Sequence, residues 1–282
     1  MRYLVPFLLA GLTASAQTDM SQPAAKTAAA SFSINQFGRK NLTGIPAQPA
    51  STVIVNAASY LPGISPGGLA TIFGKDLSHV ADVVVANTNP LPTLLANVSV
   101  KVNGRSAPIF SVSYNGTEDQ ISFQVPYRTE TGPNAAEVQV YDGGNLVADI
   151  ITDSFTEDPG IFVYQGKYAI AVSTTNNSLI GPNNPASGGD VIVLYTTGLG
   201  RLTLDLQDGY GAPSSPLAYT SDPFQVVVNG QQCQVLFSGL GPGFVGLYQI
   251  NLVLPRNLPS GDLNMQILSQ YGDSAIVKLP VF

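Results

Sequence analysis

The 282-residue sequence is poor in the residue types that most protein chemistry depends on: one cysteine, Cys233, one histidine, His79, and only 11% charged residues. A single cysteine excludes an intramolecular disulfide, so stability has to come from a hydrophobic core. One histidine and one cysteine also exclude the usual zinc sites, which need three or four such ligands. A Ser-His-Asp triad would have to be built on His79. No Gly-x-Ser-x-Gly stretch accompanies it, so the residue reads as an exposed loop or strand-edge histidine without partners. The 12 basic residues form no cluster and the net charge is −6. That balance excludes the phosphate-neutralising surface of a nucleic-acid binder and argues against docking on anionic lipid. Beyond the N-terminal stretch no apolar run approaches the roughly 20 residues needed to cross a bilayer, so no transmembrane segment is expected in the mature chain.

What is present begins with an export signature. Met1-Arg2-Tyr3 is followed by the apolar stretch Leu4 to Leu12 and by Ala14-Ser15-Ala16. Charged, greasy and small-residue regions in that order predict a signal peptide over 1–16. Residues 17–50 are rich in Ala, Ser, Thr, Gln and Pro, with few large apolar residues, and predict a disordered spacer. From Ser51 the texture changes to short runs of Val, Ile, Thr, Phe and Tyr, punctuated about every ten residues by Gly, Pro, Asn or Asp. That is the pattern of an all-β protein.

The chain also repeats itself. Val98 to Phe110 matches Phe224 to Leu236 without a gap, and each copy reads strand, Asn-Gly, strand. Asn-Gly suits the two positive-φ positions of a type I′ hairpin turn. Gln120 to Pro126 answers Gln249 to Pro255, Pro66 to Gly74 parallels Ser187 to Tyr195, and Gly132 with Val138 to Tyr141 parallels Gly261 with Met265 to Leu268. Four blocks in one order, roughly 120 to 130 residues apart, describe two copies of one fold. With about seven strands in about 110 residues, each copy has the dimensions of an immunoglobulin-like sandwich. The expected organisation is therefore two tandem immunoglobulin-like β-sandwich domains, 51–158 and 159–282, following the signal peptide and spacer.

Four stretches, Val53 to Tyr60, Ile64 to Leu77, Gln120 to Tyr127 and Pro242 to Asn251, resemble the Solibacter-type C-terminal domain family of exported acidobacterial proteins, whose function is uncharacterised. More loosely, the Ser-Pro-Gly-Gly start, Ile-Phe-Gly-Lys-Asp-Leu and the Val-Asn-Gly hairpin resemble the IPT/TIG class of immunoglobulin-like domains. The latter resemblance supports the fold, and a fold does not fix a function.

No catalytic constellation can be assembled from the sequence. Cys233 occupies the repeat position of Ala107 and alternates with Val235 and Phe237, which predicts a small inward-facing core residue. Gly241 to Gly246 satisfies Gly-x-Gly-x-x-Gly, but a strand follows it where a dinucleotide site needs a helix. The acids Asp149, Asp153, Glu157 and Asp158 near the junction, and Asp205 with Asp208, are the candidates for a glycosidase carboxylate pair. No cofactor is expected. Calcium at loop carboxylates is a minor alternative, lacking the Asp-x-Asp-x-Asp-Gly loop that would support it. The segment Thr197 to Asp222 holds the ligand-binding candidates Asp208, Tyr210 and Tyr219, because loops on rigid sandwiches carry contacts and tyrosine supplies contact area. The functional expectation is a non-enzymatic exported binding, adhesion or structural module meeting surface polysaccharide or another envelope protein. The alternative is a carbohydrate hydrolase acting through a carboxylate pair.

Overall fold

The computed structural model describes residues 52–282; the expected signal peptide and spacer lie outside the described residues. The described residues contain β-strands and no α-helix. The first nine strands are β1 (Val53–Asn56), β2 (Leu69–Gly74), β3 (Val83–Val85), β4 (Val98–Val102), β5 (Arg105–Ala107), β6 (Ile109–Tyr114), β7 (Asp119–Gln124), β8 (Gly132–Asp142) and β9 (Asn145–Ser154). They form two antiparallel sheets, ordered β1-β2-β7-β6-β3 and β5-β4-β8-β9. Apart from the short β3, this is the A-B-E-D and C′-C-F-G division of an immunoglobulin-like sandwich. Period-two patterning explains why the sheets close face to face. Val98, Val100 and Val102 of β4 are fully buried between the sheets, while Ser99 and Lys101 between them are only partly covered. Each such buried valine contributes about 1.5–3 kcal/mol.

The next eleven strands repeat the plan. They are β10 (Gly160–Ile161), β11 (Val163–Tyr164), β12 (Tyr168–Ala169), β13 (Ala171–Ser173), β14 (Val191–Thr197), β15 (Phe224–Val228), β16 (Gln231–Gln232), β17 (Gln234–Leu240), β18 (Tyr248–Val253), β19 (Gly261–Ser269) and β20 (Val277–Val281). One sheet is ordered β10-β14-β18-β17 with β13 also on β14, and the facing sheet β11-β12-β20-β19-β15-β16. Strand β12 runs parallel to β20, the last strand of the sandwich. Ala186 also meets Val281 in parallel, and the first sandwich makes the corresponding contact through Ile64 and Ser154. The protein is thus two tandem immunoglobulin-like β-sandwiches.

The hairpins form as the Asn-Gly pairs require: Asn103 and Asn229 have φ of 49° and 50°, and the glycines after them 74° and 76°. Strands β6 and β17 also share a bulge, at Phe110 in one copy and Leu236 in the other. That bulge corrects the alternation expected for Cys233, Val235 and Phe237. The extra residue reverses the faces beyond it: Val235 pairs with core-facing Leu252, whereas Phe237 pairs with Asn251 and meets Tyr219, and Cys233 is buried in the core with Val226 and Val228.

A second correction concerns the Pro66 to Gly74 block. With Gln120 matched to Gln249, Ser122 corresponds to Asn251, and these pair with Thr71 and Val193. Ile72 therefore corresponds to Leu194, one residue beyond the sequence alignment. The preceding turns agree, because Gly68 N–H donates to Ser65 O, as Asp190 N–H does to Ser187 O. The shared Gly-Gly pair misleads because the positive-φ glycines that coincide are Gly67 and Gly189. One residue of slip reverses the faces of a strand, and both Ile72 and Leu194 do point into their cores.

Each sandwich has its own core, and a third apolar cluster joins them. It includes Ala57, Ala58 and Leu69 from the first sandwich with Phe162, Ile170 and Tyr195 from the second. The junction is equally tight. Asn56 Nδ2 donates to Asp158 O at 2.7 Å and to Asp158 Oδ2 at 3.0 Å, while Asn56 Oδ1 accepts from Ala58 N–H at 2.8 Å. Asp158 N–H donates to Gly198 O, and a Cβ at Gly198 would lie 2.1 Å from Asp158 O, so only glycine fits there.

Candidate functional site

The segment 197–222 is not a free loop at a sandwich tip. It crosses to the first sandwich and is held there by main-chain contacts. Asp208 Oδ1 accepts from Tyr127 N–H at 2.8 Å, Gly209 N–H donates to Gln124 Oε1 at 2.7 Å, and Gly209 O accepts from Leu91 N–H at 2.9 Å. Asp208 is thereby a tie between sandwiches, and one of its oxygens is committed to a backbone amide. Tyr210, two residues on, is 48% exposed. Tyr219 lies on the edge of the second sandwich, bridged to Gly239, with its ring 5.3 Å from that of Phe237. Asp205 faces Arg128 across the seam at 3.4 Å, both side chains largely in solvent. The six acids weighed as a glycosidase pair are scattered over separate duties: Asp153 accepts from Asn134 N–H at 2.8 Å, Asp158 holds Asn56, and Asp149 is exposed.

Where the crossing segment leaves the second sandwich, a cleft of about 520 Å³ opens between the two sandwiches. Tyr127, Thr129, Thr131 and Thr156 line the side of the first sandwich and the junction, and Arg201 to Leu206 with Tyr271 line the other. Along 201–206 burial alternates: Leu202, Leu204 and Leu206 pack on the core of the second sandwich, while Arg201, Thr203 and Asp205 are exposed. The leucines thus anchor a segment that bends at Thr203 and Leu204 and leaves its polar residues facing outward. Its backbone is paired at its start, where Thr203 N–H donates to Tyr219 O and Ser221 N–H to Arg201 O. None of Asp208, Tyr210 and Tyr219 lines the cleft. Of the residues that sequence reasoning singled out, Asp205 lines the cleft. The available signal was the Leu-x-Leu-x-Leu run at 202–206, whose alternation marks one side as polar and free.

Glu157 lies directly behind the cleft floor. It is 3% exposed, and a Cβ added to Gly200 would come within 2.7 Å of its Cγ. Burial pushes its carboxyl above the ordinary range, the hydrogen bond from the Ser269 hydroxyl pulls partly back, and nearby Asp222 pushes it further up. Asp158 is raised likewise, by burial first, against the donation from Asn56. One buried oxygen here, Glu157 Oε1, has no hydrogen-bond partner in the structure. Burial also raises the Tyr127 phenol. Arg201 is held by Asp222 through two contacts, at 3.2 Å and 3.1 Å.

A smaller apolar pocket of about 180 Å³ lies elsewhere on the seam, between the outer face of the first sandwich and the loop 243–247. Phe110, Leu91 and Val85 line one side and Phe244, Val245 and Leu247 the other. The Gly-x-Gly-x-x-Gly run is thus an inter-strand loop between β17 and β18 that packs against the first sandwich, with Gly246 against Leu69.

His79 has a partner that the sequence did not suggest: its Nδ1 meets Asp142 Oδ2, with the imidazole side chain 93% exposed. The neighbouring hydroxyl, Ser78, donates to Asp119 at 2.6 Å instead, so no serine, histidine and acid converge. Cys233 is buried, and its thiol is pushed up to about 12 by burial, so it packs as a small apolar residue and is not a nucleophile. Among the described residues no group of three or more His, Cys, Asp or Glu could hold a metal ion, and no helix is long and apolar enough to cross a membrane.

No protein-family model and no curated protein matches the chain. Among solved structures, it is similar to the Escherichia coli adhesin FdeC at 14% identity, with 82% of this chain and 64% of that chain covered and a TM-score of 0.26. Similarity extends to the I9-I11 tandem of titin, at 13% identity over 78% of this chain and 62% of that one, TM-score 0.20. It extends also to domains 5-6 of the S-layer protein SbsC, at 9% identity over 83% and 97%, TM-score 0.23. The chain therefore spans less than two thirds of the adhesin and titin chains it matches.

Proposed function

We propose that this protein is a non-enzymatic extracytoplasmic module that binds or displays, with its two sandwiches held as one unit. The observation that carries this reading is the seam. Side chains from both sandwiches, Asn56, Gln124, Thr197 and Asp208, are committed to backbone groups of the other copy or of the junction, as in a scaffold of fixed geometry. A hydrolase would need two acids facing one space, and the acids here are separately engaged. The same reading includes export through the N-terminal signal, a division of the sandwiches at 158/159, membership of the Solibacter-type family, and a surface polysaccharide or envelope protein as the partner.

Two measurements test it. Fractionation of cells expressing the full chain should place the processed protein outside the cytoplasm. The purified protein should be retained by polysaccharides or envelope fractions. Cytoplasmic recovery of unprocessed chain would overturn export, and retention by none of these materials would overturn binding.

A further inference from the structure

We infer that the cleft between the sandwiches binds a neutral, extended polyhydroxylated ligand, that is, a stretch of uncharged saccharide; this rests on the binding reading above and names its site. Charge is the first argument. The cations at the cleft already have acids: Arg201 is gripped by Asp222 on two contacts and Arg128 faces Asp205. An anionic ligand would have to displace those acids, and a cation would have to compete with the two arginines. The fixed charges cancel in place, which favours a ligand with none.

Hydrogen-bonding capacity is the second. Thr131 and Thr156 bring hydroxyls to the cleft, while the Thr203 hydroxyl there also accepts from Tyr219 N–H at 3.1 Å. Each hydroxyl both donates and accepts, and a sugar hydroxyl does the same, so either side can complement the other.

Shape is the third. Tyr271 is 46% exposed and offers an aromatic face beside the exposed row Arg201, Thr203 and Asp205. An apolar face with a polar edge suits a pyranose ring, whose C–H face packs on aromatics while its rim makes hydrogen bonds. An extended peptide would instead need an open sheet edge for main-chain pairing. The backbone at Arg201 and Thr203 is already bonded to Ser221 and Tyr219, and the leucines between and after them pack on the core.

The test is an amide-resolved NMR titration of the described two-sandwich protein with four neutral hexasaccharides (cello-, malto-, xylo- and β-1,3-gluco-). An oligogalacturonate serves as the anionic probe and hexa-alanine as the peptide. At least one neutral hexasaccharide should shift Arg201, Thr203 and Tyr271 saturably, and Tyr271→Ala and Thr156→Val should each weaken it by tenfold or more. Tyr114→Ala, on the first sandwich away from the cleft, should leave affinity unchanged. Saccharide shifts that map elsewhere, or survive Tyr271→Ala, would overturn the cleft while leaving a binding module. Binding of the oligogalacturonate or the peptide alone would overturn the ligand class. No shift with any probe would overturn the inference, and retention by envelope fractions would then show whether the broader reading survives it.

Discussion

Thr197 makes two hydrogen bonds at once in a fully buried position. Its hydroxyl donates to Gly246 O at 2.9 Å and accepts from Leu69 N–H at 2.8 Å, so one side chain joins the last residue of β14 to both sandwiches. Thr197→Val keeps the volume but strands a buried amide and a carbonyl. It should cost about 1–3 kcal/mol, read as a lower urea midpoint with an unchanged slope. Glu157 acts in the opposite sense. Its folded carboxyl is raised by burial, so at mildly acidic pH the native state holds a proton that the unfolded chain has already released. Stability from this group is therefore present below the ordinary carboxylate range and falls as pH rises through the raised value, and Asp158 adds in the same direction. Asp262, lowered by the Lys167 and Tyr168 hydrogen bonds, contributes stability that is lost only as pH falls through its lowered value. Glu157→Gln should accordingly raise the melting temperature at pH 7 by a few degrees, about 1 kcal/mol at this size. Scans from pH 4 to 8 should show a shallower decline than in the parent protein.

Hairpins and bulges are the elements that set register. The two Asn-Gly turns have the same backbone but different support. Asn103 also donates through Nδ2 to Ala135 O at 2.9 Å and accepts from Glu137 N–H at 2.8 Å, tying the turn to β8. Replacing an asparagine at positive φ by alanine costs about 1 kcal/mol for backbone strain alone. Asn229→Ala should lose that much, and Asn103→Ala about twice as much, measured as equilibrium unfolding free energies of the two variants. The bulges at Phe110 and Leu236 recur at one structural position and have opposite outcomes: Phe110 lines the apolar pocket on the seam, while Leu236 is 38% exposed. The same backbone irregularity thus serves docking in the copy that faces its neighbour.

At the scale of the whole molecule, the ties at Asn56, Gln124, Thr197 and Asp208 and the shared apolar cluster around Leu69 and Tyr195 couple the two cores. Calorimetry of the two-sandwich protein should show one transition. Asp208→Ala leaves the Tyr127 amide without its partner and should split or broaden that transition while each sandwich stays folded. A variant melting as sharply as the parent would show that this tie does not couple the cores. The sequence by itself determined the strands, the hairpin turns and the doubling of the fold, because period-two burial, Asn-Gly turn chemistry and the ordered repeat are local properties. It also determined that Cys233 would be buried, through its equivalence to Ala107. Only the tertiary structure decided the one-residue register of β2 against β14, since a Gly-Gly pair aligns two ways until hydrogen bonds choose between them. Only it turned the 197–222 segment from a loop into a seam, giving Asp208 to a backbone amide and opening the cleft beside Tyr271. Those roles arise from residues some 80 positions apart meeting across two cores, and no local pattern encodes that distance.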